Sequence, residues 1–494
     1  MALNINTNTS ALGAAAAASS VNKTMETSME RLSSGLRINT ASDDAAGVAI
    51  ASRMDAQIRG LNQAIRNAAD GQALVDTTEG AHLEITNILQ RMRELAVQSA
   101  NDTNVSGDRS NLQSEVAQLV AEIDRIANQS TWNGVKILDG TFTSKQLQIG
   151  ADQSQVLSFS VDSARSSDIG DYQLLSDAHA VAANTIDGDD LTINGHLGSA
   201  TIAVAAAASA KDVVATINAN TASTGVSATA ITKAKLSALS AAESVAFTLT
   251  GDAAATISVT VASTSHLGDI KDAINAKSGV TGITAAFGDD TSEIVLTHLG
   301  GEDIAVSGFD TTTNSTTITL EALDRVGADL STPDTATIVE NGGSATGTVV
   351  GTMTVSSIKS FTVTGDDATA EDGFFHTLNG TTAGGTASLS AVSAVNIATT
   401  AGAANAIRAI DGALNKVNTA RADLGAISNR LDNTIANLTN ITTNVQSSQS
   451  RIQDADFAAE STNLAKAQIL QQASMAMLAQ ANASKQGVLQ LLQG

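Results

Sequence analysis

Six histidines, at positions 82, 179, 196, 266, 298 and 376, are the imidazoles this chain could offer to a metal or to acid–base chemistry, and they are scattered and unpaired along the sequence. A metalloprotease pair would place two of them one helical turn apart, and no such spacing occurs. The glycine-framed nucleophile, the phosphate loop and the dinucleotide fingerprint are missing as well. Acidic runs at Asp187 to Asp190 and Asp366 to Asp372 carry the carboxylate oxygens that calcium favours, but neither has glycine and a distal glutamate at the places an EF-hand loop needs them. Solvated loops are the simpler expectation for both. With no cysteine in the chain, neither a disulfide framework nor a thiolate metal site can form. The residues therefore predict a protein that is not an enzyme, with no cofactor and no metal.

The composition points to partners rather than substrates. Aromatic residues make up 2% of the 494 positions, with one Trp and one Tyr, so cores must be built from Ala, Val, Ile and Leu, which suits long helices. The formal charge is −23, and the acidic excess lies mainly between Gly170 and Thr400 while arginines concentrate in the flanks. Lacking a basic stripe to neutralise phosphates, the chain is not expected to bind nucleic acid. Met1 to Thr9 has no secretory-signal pattern, and no apolar run approaches the length of a membrane span, so membrane insertion is not expected. The one proline, Pro333, leaves both ends free of helix breakers.

The closing stretch, Ser450 to Gly494, contains Gly487 as its one internal glycine and reads as a helix that Asp454 or Asp456 could cap. Its apolar residues, among them Leu464, Leu470, Met477, Leu478, Leu491 and Leu492, occupy more than one face, so one neighbour cannot cover them all. Near the start, Val21, Met25, Met29, Leu32 and Leu36 follow helical spacing after the alanine run Ala14 to Ala18. These two sets predict a self-assembly surface. The ends, approximately 1–43 and 451–494, are expected to stay mobile in the monomer and to become helical when neighbours arrive.

Between them, Ile50, Met54, Ile58, Leu61 and Ile65 start a helix that runs to about residue 100, with Ser42 or Asp43 as its cap and Gly60, Gly71 and Gly80 as soft points. Leu112, Val116, Leu119, Ile123 and Ile126 predict an antiparallel third helix. Gln146 to Val161 alternates like a hairpin. From Ile407 to Val445 the apolar steps alternate four and three, a heptad seam. The middle, about 176–400, is β-rich and carries a repeat, Leu191 to Gly195 matching Phe247 to Gly251, and Lys211 to Ala219 matching Gly268 to Ala276. Two strands, a short helix and a strand are the expected unit; no fold can be assigned to 311–400. The fold class is α+β, a long α-helical coiled-coil bundle built from both chain ends, with a small β-hairpin region and inserted β-rich outer domains.

The motifs LNIN, LSSGLRIN, DDAAG, RELAVQSAN, WNGVKILDG and QILQQASMAMLAQAN resemble the two ends of bacterial flagellin, and Ile217-Asn218 and Ile274-Asn275 are similar to the signature pairs of inserted flagellin IN modules. The resemblance covers the chain to about residue 160 and again from near 400. It implies a secreted, extracellular subunit that self-polymerises into the helical flagellar filament for swimming motility. It implies a terminal coiled-coil domain at 1–43 and 451–494, a helical rod with hairpin at 44–175 and 401–450, and outer domains at 176–400 with repeats at about 183–235 and 240–310. Implied partners are further copies of the chain, a flagellin export chaperone serving type III export, and the filament cap and hook–filament junction proteins. A junction protein, or an adhesin binding glycans on a filament scaffold, is the alternative. O-glycosylation of outer Ser and Thr is a family habit, and Asn-X-Ser/Thr triplets at Asn101 and Asn437 are not expected to carry sugar. Finally, Gln90 to Asn101 resembles the stretch detected by the host Toll-like receptor 5, which implies Arg91, Leu95 and Glu115 as receptor-binding positions, with Met92 standing where a smaller β-branched residue is usual.

Overall fold

The computed structural model describes residues 7–101, 103–176, 179–181, 184, 186, 188, 190–312, 316–325, 327, 335–339, 346–365, 374–375 and 384–493. Among these the helices are α1 (Thr9–Ser34), α2 (Ala45–Ser99), α3 (Ser106–Gln129), α4 (Ala210–Ala219), α5 (Thr221–Thr224), α6 (Gly268–Asn275), α7 (Ser278–Thr281), α8 (Thr400–Gln453) and α9 (Phe457–Gln493). Residues up to 77, 144–160 and those from 424 onward make one compact unit, and residues 78–143 with 161–423 make a second.

In the first unit, Asn8 starts α1 by accepting the Ala11 N–H at 3.0 Å, and Gly35, at φ 72°, ends it in the left-handed region that glycine adopts without strain. Leu36 consequently lies beyond the helix on which its spacing had placed it. Its backbone instead forms an antiparallel bridge with Asp454, flanked by Arg37 N–H to Gln453 O at 2.6 Å and Ala455 N–H to Gly35 O at 3.0 Å. The closing stretch is likewise not one helix from Ser450, because α8 runs on to Gln453 and α9 begins only after Asp456, whose Oδ1 accepts from the N–H groups of Ala458 and Ala459. Helix α2 is capped one residue later than expected, by Asp44, which accepts from Ala46 and Gly47, while Asp43 ties the preceding turn through Asn39 and Thr40.

The strands Lys145–Gln148 and Val156–Phe159 form the expected hairpin, anchored to α2 by Asn67 Nδ2 donating to Gln148 O at 2.9 Å. This corrects the role of two glycines. A Cβ on Gly71 would stand 2.4 Å from the Leu147 Cδ1, and one on Gly60 would stand 3.1 Å from the Ala151 Cβ, so both are clearances for the hairpin rather than soft points. Only Gly80 faces open space. In α8 the heptad row Leu424, Leu431 and Leu438 is buried, while Ser428 and Ile435 on the alternate row are half-buried.

In the second unit, Ile85, Leu89, Met92 and Leu95 of α2, Val116 and Ile123 of α3, and Ile410, Ala413 and Val417 of α8 are all buried. Each of these fully buried side chains other than Ala413 contributes roughly 1.5–3 kcal/mol. After α3, Asn133 and Gly134 both take positive φ, the two-residue turn that joins Thr131–Trp132 to Val135–Lys136.

Both repeats fold as strand, strand, helix, strand: Leu191–Asn194, Ser199–Ile202, α4 and Ser227–Ser237 in the first, and Ser244–Thr250, Ala254–Thr260, α6 and Ile283–Phe287 in the second. Ile217 and Ile274 enter separate apolar cores. The asparagine after each turns outward to the next strand: Asn218 donates to Ala228 O and accepts from Ala228 N–H, and Asn275 does the same with Ala285.

The segment 311–400, unassignable from sequence, supplies strands that finish both repeats. Thr346–Val350 pairs with Ile304–Thr311 of the second repeat's sheet, while Thr352–Ser357 pairs with Ser227–Ser237 of the first. The switch falls at Gly351, where a Cβ would meet Gly301 O at 2.5 Å. Ser227–Ser237 also pairs with Ile294–His298 and with Thr317–Ala322, so one sheet joins the repeats. Within it, Lys235 and Glu321 sit opposite each other and form a buried ion pair at 2.8 Å, which a slip of register would break.

Candidate assembly and recognition surfaces

Helices α1 and α9 pack against each other in antiparallel fashion. Three side-chain contacts fix the register: Asn8 Nδ2 donates to Ala481 O at 3.2 Å, Gln471 Nε2 to Asn22 Oδ1 at 2.8 Å, and Arg31 Nη1 to Glu460 Oε1 at 2.9 Å. Glu460 is buried, and hydrogen bonds from Asn463 and then Arg31 hold its carboxyl below the usual range. Close approach is possible because Ser28 and Ala467, both buried, are small.

The expected assembly residues divide into two groups around this pair. Val21, Met25, Leu32, Leu464 and Leu478 are half-buried in the chain itself, whereas Met29, Leu470 and Met477 are exposed. One face of each end helix thus has its partner within the chain, and the second face does not. Leu12, Phe457, Ile469 and Met475 are exposed too, and the sequence reasoning left them out of the surface. Ile469 and Met475 belong to the same two-faced apolar set as Leu470 and Met477, and that was the signal that could have found them. The side chains of Leu491 and Leu492 lie outside the described residues.

On α2 and α3, Arg91 forms ion pairs with Glu115 at 2.9 Å and with Glu94 at 3.0 Å, and these two carboxylates, Glu94 foremost, raise the guanidinium above its ordinary value. Leu95, expected beside them as an apolar anchor, is 1% exposed and belongs to the core. Helical geometry decides this: Leu95 shares the inward face with Met92, whereas Val97, half exposed, points outward. Methionine at 92 is itself fully buried, so its larger apolar side chain fills the interior rather than altering the surface. Gln90, Arg93, Glu94, Val97 and Gln98 line a shallow groove here, and Arg93 is held by Asp411 at 2.7 Å.

Among the described residues, no group of three or more His, Asp or Glu is placed to hold a metal, and no helix is long and apolar enough to cross a membrane. Of the two acidic runs, Asp187, Asp189 and residues 366–372 lie outside the described residues, as do the side chain of His179 and all of His376.

A chain whose two ends close one helical pair, with large apolar side chains left outward and β-rich segments between the ends, has the architecture of an assembly subunit rather than of an enzyme built round a pocket. Family comparison gives the particular class. The bacterial flagellin N-terminal helical region matches residues 5–143, the bacterial flagellin C-terminal helical region matches 407–492, and the flagellin hook IN motif matches 190–241 and 244–298. The chain is 38% identical over 502 residues to the B-type flagellin of Pseudomonas aeruginosa, 34% identical over 496 to flagellin B of Vibrio cholerae, and 33% identical over 495 to flagellin B of Vibrio anguillarum, covering 100% of each and of itself. The chain belongs to the flagellin family, the structural subunits of the extracellular bacterial flagellar filament.

Proposed function

We propose that this chain polymerises through the outward faces of α1 and α9. The observation that carries the reading is the exposure of Leu12, Met29, Ile469, Leu470, Met475 and Met477 on two helices that already cover each other's inner faces. Several large apolar side chains left exposed on one paired element are uncommon on a soluble monomer and mark a candidate interaction site. Residues 1–43 and 451–494 then act as the inner domain, 44–175 and 401–450 as its support, and the acidic 176–400 region faces water. A flagellin export chaperone covers α9 before assembly, and the cap and hook–filament junction proteins meet the same end helices. The reaction is assembly, without catalysis.

Seeded growth tests this: purified chain should extend filament seeds into long tubes, and deletion of 176–400 with a short linker should leave that growth intact. Short caps at seed ends would indicate a junction protein, and whole-length relatives that are flagellins weigh against it. The receptor-facing surface is proposed at Arg91 and Glu115, with Leu95 supporting it from beneath, on the resemblance of Gln90 to Asn101 to the stretch detected by Toll-like receptor 5.

A further inference from the structure

The chain has eight methionines and no cysteine. Met1 lies outside the described residues, and the structure sorts the other seven sharply. Met92 and Met353 are sealed in cores, at 0% and 1% exposure. Met25 and Met54 are half-buried. Met29, Met475 and Met477 are exposed, at 54%, 58% and 65%, and all three stand on the paired end helices α1 and α9. Among the described residues, the methionines most open to a dissolved oxidant are therefore concentrated on the surface assigned above to polymerisation, in a chain with no thiol to intercept it.

We propose that Met29, Met475 and Met477 are a reversible oxidation site through which peroxide blocks assembly of the unpolymerised chain. The sulfur lone pair attacks one oxygen of hydrogen peroxide, the O–O bond breaks, and the sulfur loses two electrons as the S=O bond forms. The proton of the transferred oxygen moves to the departing hydroxide, which leaves as water. The product is methionine sulfoxide, which replaces a flexible apolar side chain with a polar one and is restored by methionine sulfoxide reductases. On the free chain this costs little, because the sulfoxide oxygen stays in water. In a polymer the same oxygen would be buried against apolar side chains without a donor, and an unsatisfied buried polar group is costly. Once assembled, the three thioethers are covered, so the sensitivity belongs to the interval before incorporation.

The inference rests on the polymerisation reading, and the experiment separates the two. Full-length monomer is treated with hydrogen peroxide, mapped by peptide mass spectrometry, and added to seeds; preformed filaments are treated in parallel. In the monomer, Met29, Met475 and Met477 should gain oxygen well before Met92 and Met353, and the critical concentration for growth should rise by about tenfold or more. Reductase treatment should reverse the rise, and filaments should resist modification at the three sites. The Met29→Leu, Met475→Leu, Met477→Leu chain, which keeps apolar volume at these positions, should show no peroxide-induced rise over its own untreated critical concentration. Met477→Gln alone, a permanent polar group at the most exposed site, should raise the critical concentration without peroxide. Unchanged growth of fully oxidised wild type, or equal loss in the triple leucine chain, would overturn the inference alone. Failure of untreated wild type to grow on seeds would overturn the polymerisation reading and this one with it.

Discussion

Asn275 and the backbone of Ala285 exchange two hydrogen bonds, each 2.8 Å, and Asn218 makes the same exchange with Ala228. The asparagine side chain takes the place of a neighbouring strand, so the helix end and the strand edge are joined without a further residue. Replacing either asparagine by alanine leaves a part-buried N–H and C=O at the strand edge without their side-chain partner. Asn275→Ala should lower the stability of the outer region by about 0.5–1.5 kcal/mol while leaving seeded growth unchanged, measured by urea unfolding of monomer and by filament length.

Gly71 and Gly80 lie on one helix yet should respond oppositely. Gly80→Ala removes backbone entropy where a Cβ meets nothing within 4 Å, and should stabilise the monomer by about 0.5–1 kcal/mol. Gly71→Ala would press on Leu147 and should forfeit that gain or reverse it. Equal stabilisation in thermal unfolding would contradict the clearance role.

Asp303 ties stability to pH. Burial, reinforced by Glu302 and Asp212, holds its carboxyl up at about 6, against the pull of hydrogen bonds from Asn184 and the Gly351 backbone; its Oδ1 has no partner. The folded value lies above that of an unfolded aspartate, so the folded chain binds the extra proton. The resulting stability is full below roughly pH 4 and is lost as pH rises through about 6. Asp303→Asn should behave like wild type at pH 4 and exceed it by on the order of 2 kcal/mol at pH 7. Parallel unfolding curves at both pH values would refute this.

The helices and the repeats were legible because their signals are local. Heptad spacing marks Leu424, Leu431 and Leu438 wherever the partner lies, and the Ile-Asn pairs mark both α4 and α6. What escaped was long-range. Nothing in Thr352–Ser357 announces that its partner is Ser227–Ser237, more than a hundred residues earlier, and the change of sheet at Gly351 depends on the distant Gly301 carbonyl. The misplacement of Leu36 has another cause: the helical row continues through it, but Gly35 ends the helix first. Leu95 carries two readings at once: the resemblance assigns it to receptor binding, and the structure buries it beside Met92 on the inward face of α2.

The end helices supply an assembly test that spares the fold. Ile469 is exposed, so Ile469→Asp should change monomer stability by no more than about 0.5 kcal/mol, yet abolish seeded growth by placing a charge on the covered face. Amide exchange should be slower for α1 and α9 in the polymer than in the monomer. Equal protection in both states would show that these helices gain nothing from neighbours.

The last expectation concerns receptor detection. Arg91 and Glu115 are about half exposed and bridge each other, and a solvent-screened surface pair of this kind adds little to stability. Arg91→Ala should therefore fold normally and lose most activation in Toll-like receptor 5 reporter cells, because a forked donor is suited to an interface hot spot. Leu95→Ala is a different experiment. Truncating a buried leucine costs about 2–5 kcal/mol, so reduced signalling there would report a loosened α2, and the melting curve should fall in step with it. Val97→Asp probes the apolar contribution at the surface without touching the core. It should keep wild-type melting and lose activity. Full signalling by folded Arg91→Ala and Val97→Asp monomers would remove this face of α2 from receptor binding, and leave its charges to the packing of the chain alone.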